Sequence, residues 1–460
     1  MTDTISDELR TIDLGDKRLN DRARELVESL AANPEASINS ALNGWDETLA
    51  GYRFFDNSAV EPEAILSAHV DATHRRIESQ DVVLVVQDTT ELDFTAHPTK
   101  DAGSLNTPKR RGFYDHTHLA LTPEKLCLGV LQADFFDRDP QTLGKAKDYD
   151  AIPIEQKESY RWLAGYRLAC QLAEKFDDKQ IISVADREGD IYEIFVEQHQ
   201  RETPADFLVR AQADRSLTEK DAEAGPYSYK KVRREAARSE CRIVRQLELP
   251  ATPKRKARTA SVEVRAIPVT VKPPLSRGEL PTVQYNVVLV EEVGGPGDGT
   301  DIQWLLITTL PIDTTRSVLR VIELYAARWA IEVYFRVYKT GCRVEEIQLE
   351  TNDRLRRCLM LYKIIGWRVM YLTFLGRACP ELSCEVVFAK AEWKSVYKIV
   401  NKKTPPKKPP RLGDFLPLVA QLGGYNRRAN DPPPGPQAIW VGLRRTVDFG
   451  LAWDAFGPDT

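Results

Sequence analysis

Four side chains able to do chemistry sit close together in the stretch YAARWAIEVYFRVYK, residues 325–339: Tyr325, Arg328, Glu332 and Lys339. At about 100° per residue a helix holds all four within an arc of roughly 60°. A phenol, a guanidinium, a carboxylate and an ammonium then share one face. Most of the remaining circumference is apolar or small (Ala326, Ala327, Trp329, Ala330, Ile331, Val333, Phe335, Val337), which packs the helix into protein and turns its polar stripe toward a cleft. Asp313 or Thr314 can cap its start and Gly341 can end it. Carboxylate oxygen suits a hard cation such as Mg²⁺. The competing reading is a solvated pair between Arg328 and Glu332, although Arg before Glu is the weaker orientation for one.

Two further carboxylates end strands. Residues 82–86 (VVLVV) and 181–185 (IISVA) are continuous apolar runs, the mark of strands buried on both faces, and they deliver Asp88 and Asp186 at their carboxyl ends. A helix, IYEIFVEQ, follows the second, and one nearby carboxylate is expected to cap it. Asp190 is better placed for that task, which leaves Asp186 to face the same cleft as Asp88. An Asp closing a strand is also a common turn former, and that reading stands beside the first. In the loop between the two strands Lys109, Arg110 and Arg111 precede Gly112, Phe113 and Tyr114. Such interleaving suits distorted or single-stranded DNA, or else a plain surface loop. His116 and His118 are read as structural.

The elements that must carry these residues follow from periodicity. Residues 8–75 read as helical, with Lys17, Arg18, Arg22 and Arg24 crowding one helix start. Residues 119–135 read as two strands, and Gln156 opens a helix running through Leu172. From 211 to 303 alternating strands with basic turns, at 230–234 (KKVRR) and 254–258 (KRKAR), form a β-rich insertion and a plausible phosphate-gripping surface. An apolar helix spans 353–376, and NKKTPPKKPPR breaks the chain after it.

The spacing Tyr-x2-Arg-x3-Glu-x6-Lys closely resembles the signature helix of the transposon-five-type transposases in the insertion-sequence-four family. Asp88-Thr89-Thr90, the run Asp186-Arg187-Glu188-Gly189-Asp190, the element Arg111-Gly112-Phe113-Tyr114-x-His116 and the closing Leu422-Gly423-Gly424 and Trp440-x-Gly442 are similar to that family's motifs. Its Glu-Lys-Glu-Ser-x-basic-Trp segment is matched from Gln156, which departs at the first position. The resemblance implies that Asp88, Asp186 and Glu332 are both the catalytic and the metal-binding residues, holding two Mg²⁺ ions for which Mn²⁺ can substitute. It implies DNA contacts from Tyr325, Arg328, Lys339, Arg210, Arg111, Lys109 and Arg110, a flipped base stacked on Trp304, and end-sequence recognition by Lys17, Arg18 and Arg22. The implied activity is cut-and-paste transposition through a DNA hairpin, with double-stranded transposon ends bearing terminal inverted repeats and target DNA as partners and a homodimer in the synaptic complex. A nuclease without strand transfer and a non-catalytic DNA-binding regulator are the alternatives.

The fold expected is α/β: a ribonuclease-H-like mixed central sheet with flanking helices over 76–375, a helical end-binding domain over 1–75 and a mainly helical dimerisation domain over 376–460. Length and composition admit this: 460 residues, 42% hydrophobic and 29% charged, suit a globular protein of two or three domains. No apolar run is read as approaching the ~20 residues that span a bilayer, so no membrane partner is expected. No secretory start is seen, and a cytoplasmic location at the nucleoid is expected. Seven cysteines without a Cys-x2-Cys pair argue against disulfides and structural zinc. The formal charge of -4 leaves nucleic-acid binding to local patches.

Overall fold

The computed structural model describes residues 4–42, 44–138, 152–225, 227–249, 257–428 and 431–457. Two compact units emerge, Met1–Ser79 with Thr89–Lys145 and Trp329–Thr460, and Gln80–Asp88 with Ala146–Arg328.

The first unit opens with a 3-10 turn, Ile5–Leu9, and helices α1 (Lys17–Ala32), α2 (Ile38–Ala41), α3 (Trp45–Asp56) and α4 (Pro62–Ile77). Asp16 caps α1 by accepting the Arg18 N–H at 2.8 Å, and Ala23, Leu26, Val27 and Leu30 form its buried stripe. Strand β1 (Val82–Asp93) passes from the second unit into the first after Asp88. In the first unit β2 (Gly112–Leu121) and β3 (Cys127–Phe136) pair antiparallel, with a register shift after His118.

The second unit holds α5 (Tyr160–Lys175), β4 (Gln180–Ala185), α6 (Tyr192–Gln200) and β5 (Asp206–Arg210). There follow β6 (Ser216–Lys220), β7 (Tyr229–Lys231), α7 (Val232–Arg238), β8 (Cys241–Leu249), β9 (Arg258–Val271), β10 (Val283–Glu292), β11 (Gln303–Thr308) and α8 (Thr315–Ala327). The strand order here is β1-β4-β5-β11-β10-β9-β6-β7, with β8 on β9. β1, β4 and β5 run parallel and β11, β10 and β9 antiparallel, so the sheet is mixed. Helix α6 makes the crossover from β4 to β5 that a parallel pair requires.

The chain returns to the first unit with α9 (Ala330–Arg336), α10 (Asn352–Ala378), α11 (Lys390–Asn401), α12 (Leu412–Leu422) and α13 (Pro436–Phe456), a helical carboxyl-terminal region. Contrary to the sequence reading, α10 is long and apolar enough to cross a membrane. Yet 83% of its apolar window is buried within the protein, where it packs on α3, α4 and β3 as a core helix.

A buried polar knot ties the amino-terminal helices to β3. His69 Nδ1 lies 2.7 Å from Glu8 Oε2, and His69 Nε2 accepts the Val130 N–H at 3.0 Å. That pair of contacts requires a neutral imidazole, because a second ring proton would face an N–H. Arg76 donates to both Glu8 oxygens at 2.8 and 3.0 Å and stacks over Trp367 at 4.3 Å. Burial alone raises the pKa of Glu8, but His69 and Arg76 outweigh it and hold it at about 2. Burial pushes His69 below its ordinary 6.5 despite the opposing Glu8.

Both groups bind protons more readily when unfolded, so each stabilises the fold at neutral pH and withdraws that support in acid. The melting temperature is therefore expected to fall as pH drops below 6.5, through His69, and again between 4.5 and about 2, through Glu8. Glu8→Gln should lose roughly 3 kcal/mol at pH 7 and flatten the second fall, as thermal unfolding across pH will show.

Candidate active site

β1 and β4 are registered from Val82↔Gln180 to Val86↔Val184, so Asp88 and Asp186, each the second residue beyond the last pair, come level at the carboxyl end of that parallel pairing, on strands about 4.8 Å apart. β4 stops at Ala185, but β1 does not end at Asp88 as expected and runs on to Asp93. β5 extends the row, since Ala185↔Val209 places Arg210 beside Asp186. The carboxyl ends of parallel strands are where α/β sheets bind ligands.

Helix α8 adds two more groups. Tyr325, in its last turn, meets the Trp304 ring of β11 edge-on at 5.5 Å, and the Arg328 guanidinium lies 6.0 Å from the Tyr325 ring. Arg328 Nη1 donates to Asp88 Oδ2 at 2.9 Å, with the arginine 8% and the aspartate 18% exposed. Burial raises the Tyr325 pKa although Arg328 and Arg210 pull it down, so the phenol stays protonated at neutral pH. Arg210 donates from Nη2 to the Gln303 carbonyl at 3.1 Å, while its buried Nε finds no acceptor among the described residues. The second unit thus gathers Asp88, Asp186, Arg210, Trp304, Tyr325 and Arg328.

The one regular helix expected over 325–339 is segmented. Thr314 caps α8, as read from sequence, but Arg328 donates its N–H to the Tyr325 carbonyl, three residues back, at 3.1 Å, and α9 starts afresh at Ala330. A π turn, Val337–Gly341, follows, in which Cys342 donates to Val337 at 2.9 Å. The stretch is thus two α segments and a π turn rather than one regular helix. Half-buried Glu332 and Lys339 belong to the first unit. Lys339 Nζ donates to the Glu91 carbonyl at 2.6 Å and pairs with Glu345 at 3.1 Å.

The roles expected of Asp186 and Asp190 are also redistributed. Asp186 Oδ1 accepts the Glu188 N–H at 2.8 Å and caps the 3-10 turn Arg187–Gly189. α6 has no side-chain cap; Asp190 instead accepts the N–H groups of Gln212 at 2.8 Å and Ala213 at 2.9 Å and pairs with buried Arg215. The irregular turn between β4 and α6, invisible to periodicity, created the closer capping position.

Several of the expected cation sites are paired with carboxylates. Lys17 pairs with Asp21, Arg18 with Asp16 at 2.8 Å and Arg22 with Glu25 at 2.9 Å. Arg110 bridges Glu91 and Asp93 at 2.6 and 2.9 Å, Arg111 Nη1 reaches the Ala102 carbonyl at 3.3 Å, and Lys109 is exposed. In the β-rich stretch Lys230 meets Glu219 at 2.6 Å, and Arg234 meets Asp221 and Glu223 at 2.8 and 2.6 Å. Residues 254–256 lie outside the described residues. Sequence reasoning missed the 2.9 Å pair of Arg161 with Glu188, although both stand in motifs it had singled out. It also missed the 2.9 Å bond between His116 Nδ1 and the Thr89 hydroxyl, which fastens β2 to the residue after Asp88.

The donor set at Asp88 and Asp186 is all oxygen, which suits Mg²⁺ or Mn²⁺. One oxygen of each carboxylate is held by protein, by Arg328 or by the Glu188 N–H, and among the described residues no three His, Cys, Asp or Glu side chains converge on a cation position.

Family models match along the chain in order: Transposase DNA-binding over residues 1–60, Transposase DDE domain over 165–365 and Transposase Tn5 dimerisation domain over 364–452. Among solved structures, a piggyBac transposase synaptic complex with hairpin DNA aligns at 9% identity over 99% of this chain and 79% of that one, with a TM-score of 0.32, too low to bear on fold or function.

Proposed function

Because this chain belongs to the Tn5-type DDE transposases, we propose that it excises a DNA segment at its ends and joins the freed 3′-hydroxyls to target DNA, through a hairpin intermediate and on a ribonuclease-H-like catalytic fold. The observation that supports this reading most directly is the row Asp88, Asp186 and Arg210 across three parallel strands where their mutual pairing ends, with Asp186 and Arg210 inside the stretch that matches the DDE domain and Asp88 on the strand paired to it.

In this reading Asp88, Asp186 and Glu332 hold two divalent ions, which when bound make a water nucleophilic at neutral pH and stabilise the leaving oxygen. The chain's own groups supply position and charge. Arg210, with a buried Nε lacking an acceptor, and Arg328 each offer donors to a phosphate near Tyr325. Tyr325, kept protonated by burial, donates to the same backbone. Trp304, half-buried and edge-on to Tyr325, offers a ring face to a base swung out of the duplex. Lys339 contacts the strand bearing the reactive hydroxyl. The amino-terminal helices read the end sequence, and the carboxyl-terminal helices join two copies so that two ends are handled together.

The test is a plasmid carrying the terminal inverted repeats, incubated with Mg²⁺ or with chelator. Wild-type protein should excise and integrate only with the ion, and Asp88→Ala, Asp186→Ala and Glu332→Ala should each reduce cleavage to background while binding end DNA within about threefold of wild type. Cleavage without integration would make it a nuclease, binding without cleavage a regulator, and robust cutting by any of the three variants would remove that residue from the site.

A further inference from the structure

We infer that Arg328 is a placeholder for the divalent ion on Asp88, and that its transfer to a DNA phosphate couples ion binding to DNA binding. The inference rests on the reading of Asp88 as an ion ligand. A guanidinium 2.9 Å from Asp88 Oδ2 occupies the oxygen a metal needs, and at 8% and 18% exposure the pair is poorly screened by water. Two cations on one poorly screened carboxylate repel, so the ion binds weakly while Arg328 stays and more tightly once it leaves.

The protein provides somewhere for it to go. Arg210 and Arg328 both lie near Tyr325, close enough for each charge to act on the other, and Arg210 Nε is an unanswered buried donor. A phosphate between them satisfies Arg210, draws Arg328 off Asp88 and exposes the carboxylate. Linkage makes the effect reciprocal: DNA tightens ion binding and the ion tightens DNA binding by the same factor. The free protein is thereby kept poor in metal, and so poor in indiscriminate cleavage.

Mn²⁺ titration followed by electron paramagnetic resonance, with and without end DNA, tests this without reference to activity. Wild type should bind Mn²⁺ weakly alone and about tenfold or more tightly with DNA. Arg328→Gln without DNA should bind about tenfold more tightly than wild type, with most of the DNA effect gone, whereas Arg328→Lys should remain weak. Free Arg328→Gln that melts like wild type but binds Mn²⁺ no better would overturn the inference. Asp88→Ala separates the two claims: if it binds Mn²⁺ as wild type does, the reading of the ion site has failed instead.

A different observation carries a second proposal. The segment between α11 and α12 holds Lys402, Lys403, Lys407 and Lys408, all exposed and none with a carboxylate partner among the described residues. It is stiff and pinned. Pro405, Pro406, Pro409 and Pro410 fix its backbone, Lys402 closes α11 in the left-handed region at φ 54°, and the Pro410 carbonyl accepts the Cys384 N–H at 3.0 Å beside the Ser383↔Arg411 bridge. The backbone carrying the four ammonium groups is therefore ordered before any ligand arrives, which lowers the ordering cost of binding a rigid polyanion. Among the described residues many of the other expected cations, such as Lys17, Arg18, Arg22, Arg110, Lys230 and Arg234, are paired with carboxylates, and a second copy presenting the same strap would be repelled.

We propose that this strap grips the phosphate backbone of duplex DNA away from the catalytic strands. Affinity for a random duplex lacking the end sequence, measured against salt, is the test. Replacing the four lysines with Gln should lower the log–log salt slope by about 3–4, at roughly 0.9 per phosphate contact, while replacement with Arg preserves it. An unchanged slope in a folded Gln variant overturns the proposal, as would loss of binding to anionic vesicles with DNA binding intact.

Discussion

The parallel pairing of β1 with β4 is the constraint on which the proposed chemistry depends. Two carboxylates far apart in sequence come level only because Val86 stands opposite Val184, and a slip of one residue would turn Asp88 to the other face of the sheet. Apolar burial fixes that register, since Val83, Leu84, Val85 and Val86 are fully buried and leave nothing solvated to exchange. A polar lock reinforces it: Gln87, itself buried, donates to Ser183 on β4 at 3.3 Å. Exposure begins one residue later, at Asp88. The sheet therefore holds its reactive groups where its own stabilising pattern stops.

That reasoning also explains what could be read in advance. Unbroken apolar runs such as VVLVV and IISVA announce buried strands, because nothing but a core tolerates them, and both strands form over these runs, although β1 continues through Asp88 to Asp93 where its residues no longer read as core. The amphipathic stripe of α1, the cap at Thr314 and the β-rich texture of 211–303 were equally legible. The segmentation at Arg328 was not. φ and ψ stay helical there (−50°, −35°), and only the hydrogen bonding tightens, which residue types do not signal. Nor was the exchange of duties between Asp186 and Asp190, which turns on a three-residue 3-10 turn and on Arg215, distant in sequence. Ion pairs between remote residues are the least legible feature, since any of several carboxylates would serve.

Buried charge elsewhere in the first unit has a different character. Lys363 of α10 is fully buried against Asp115 of β2, accepts no water-facing role, and donates to Thr117 at 2.6 Å under the Tyr338 ring at 4.3 Å. Such a pair adds little net stability, because desolvation offsets the attraction, but an alternative seating of α10 would leave a buried charge unpaired at a cost of about 3–5 kcal/mol. Together with the Glu8, His69 and Arg76 knot, it fixes where helices meet strands. Glu8, His69, Asp115 and Lys363 are almost wholly enclosed and bonded to protein partners, outside the unit that holds Asp88 and Asp186, and we read them as structural.

Pairing has the opposite meaning at the surface. A chain of net charge -4 that must hold a polyanion carries much of its positive charge against its own carboxylates, as at Arg18, Arg22, Arg110, Lys230 and Arg234. For these groups DNA binding is an exchange of one anion for another. A phosphate that displaces a carboxylate leaves that carboxylate nearby, so fewer counterions are released than the count of cations suggests, and non-specific attraction is correspondingly weak. Only a DNA geometry that engages several such cations at once outcompetes their internal partners. Weakening indiscriminate attraction in this way transfers discrimination from charge to shape, which is what a protein that must find particular ends among a large excess of other DNA requires.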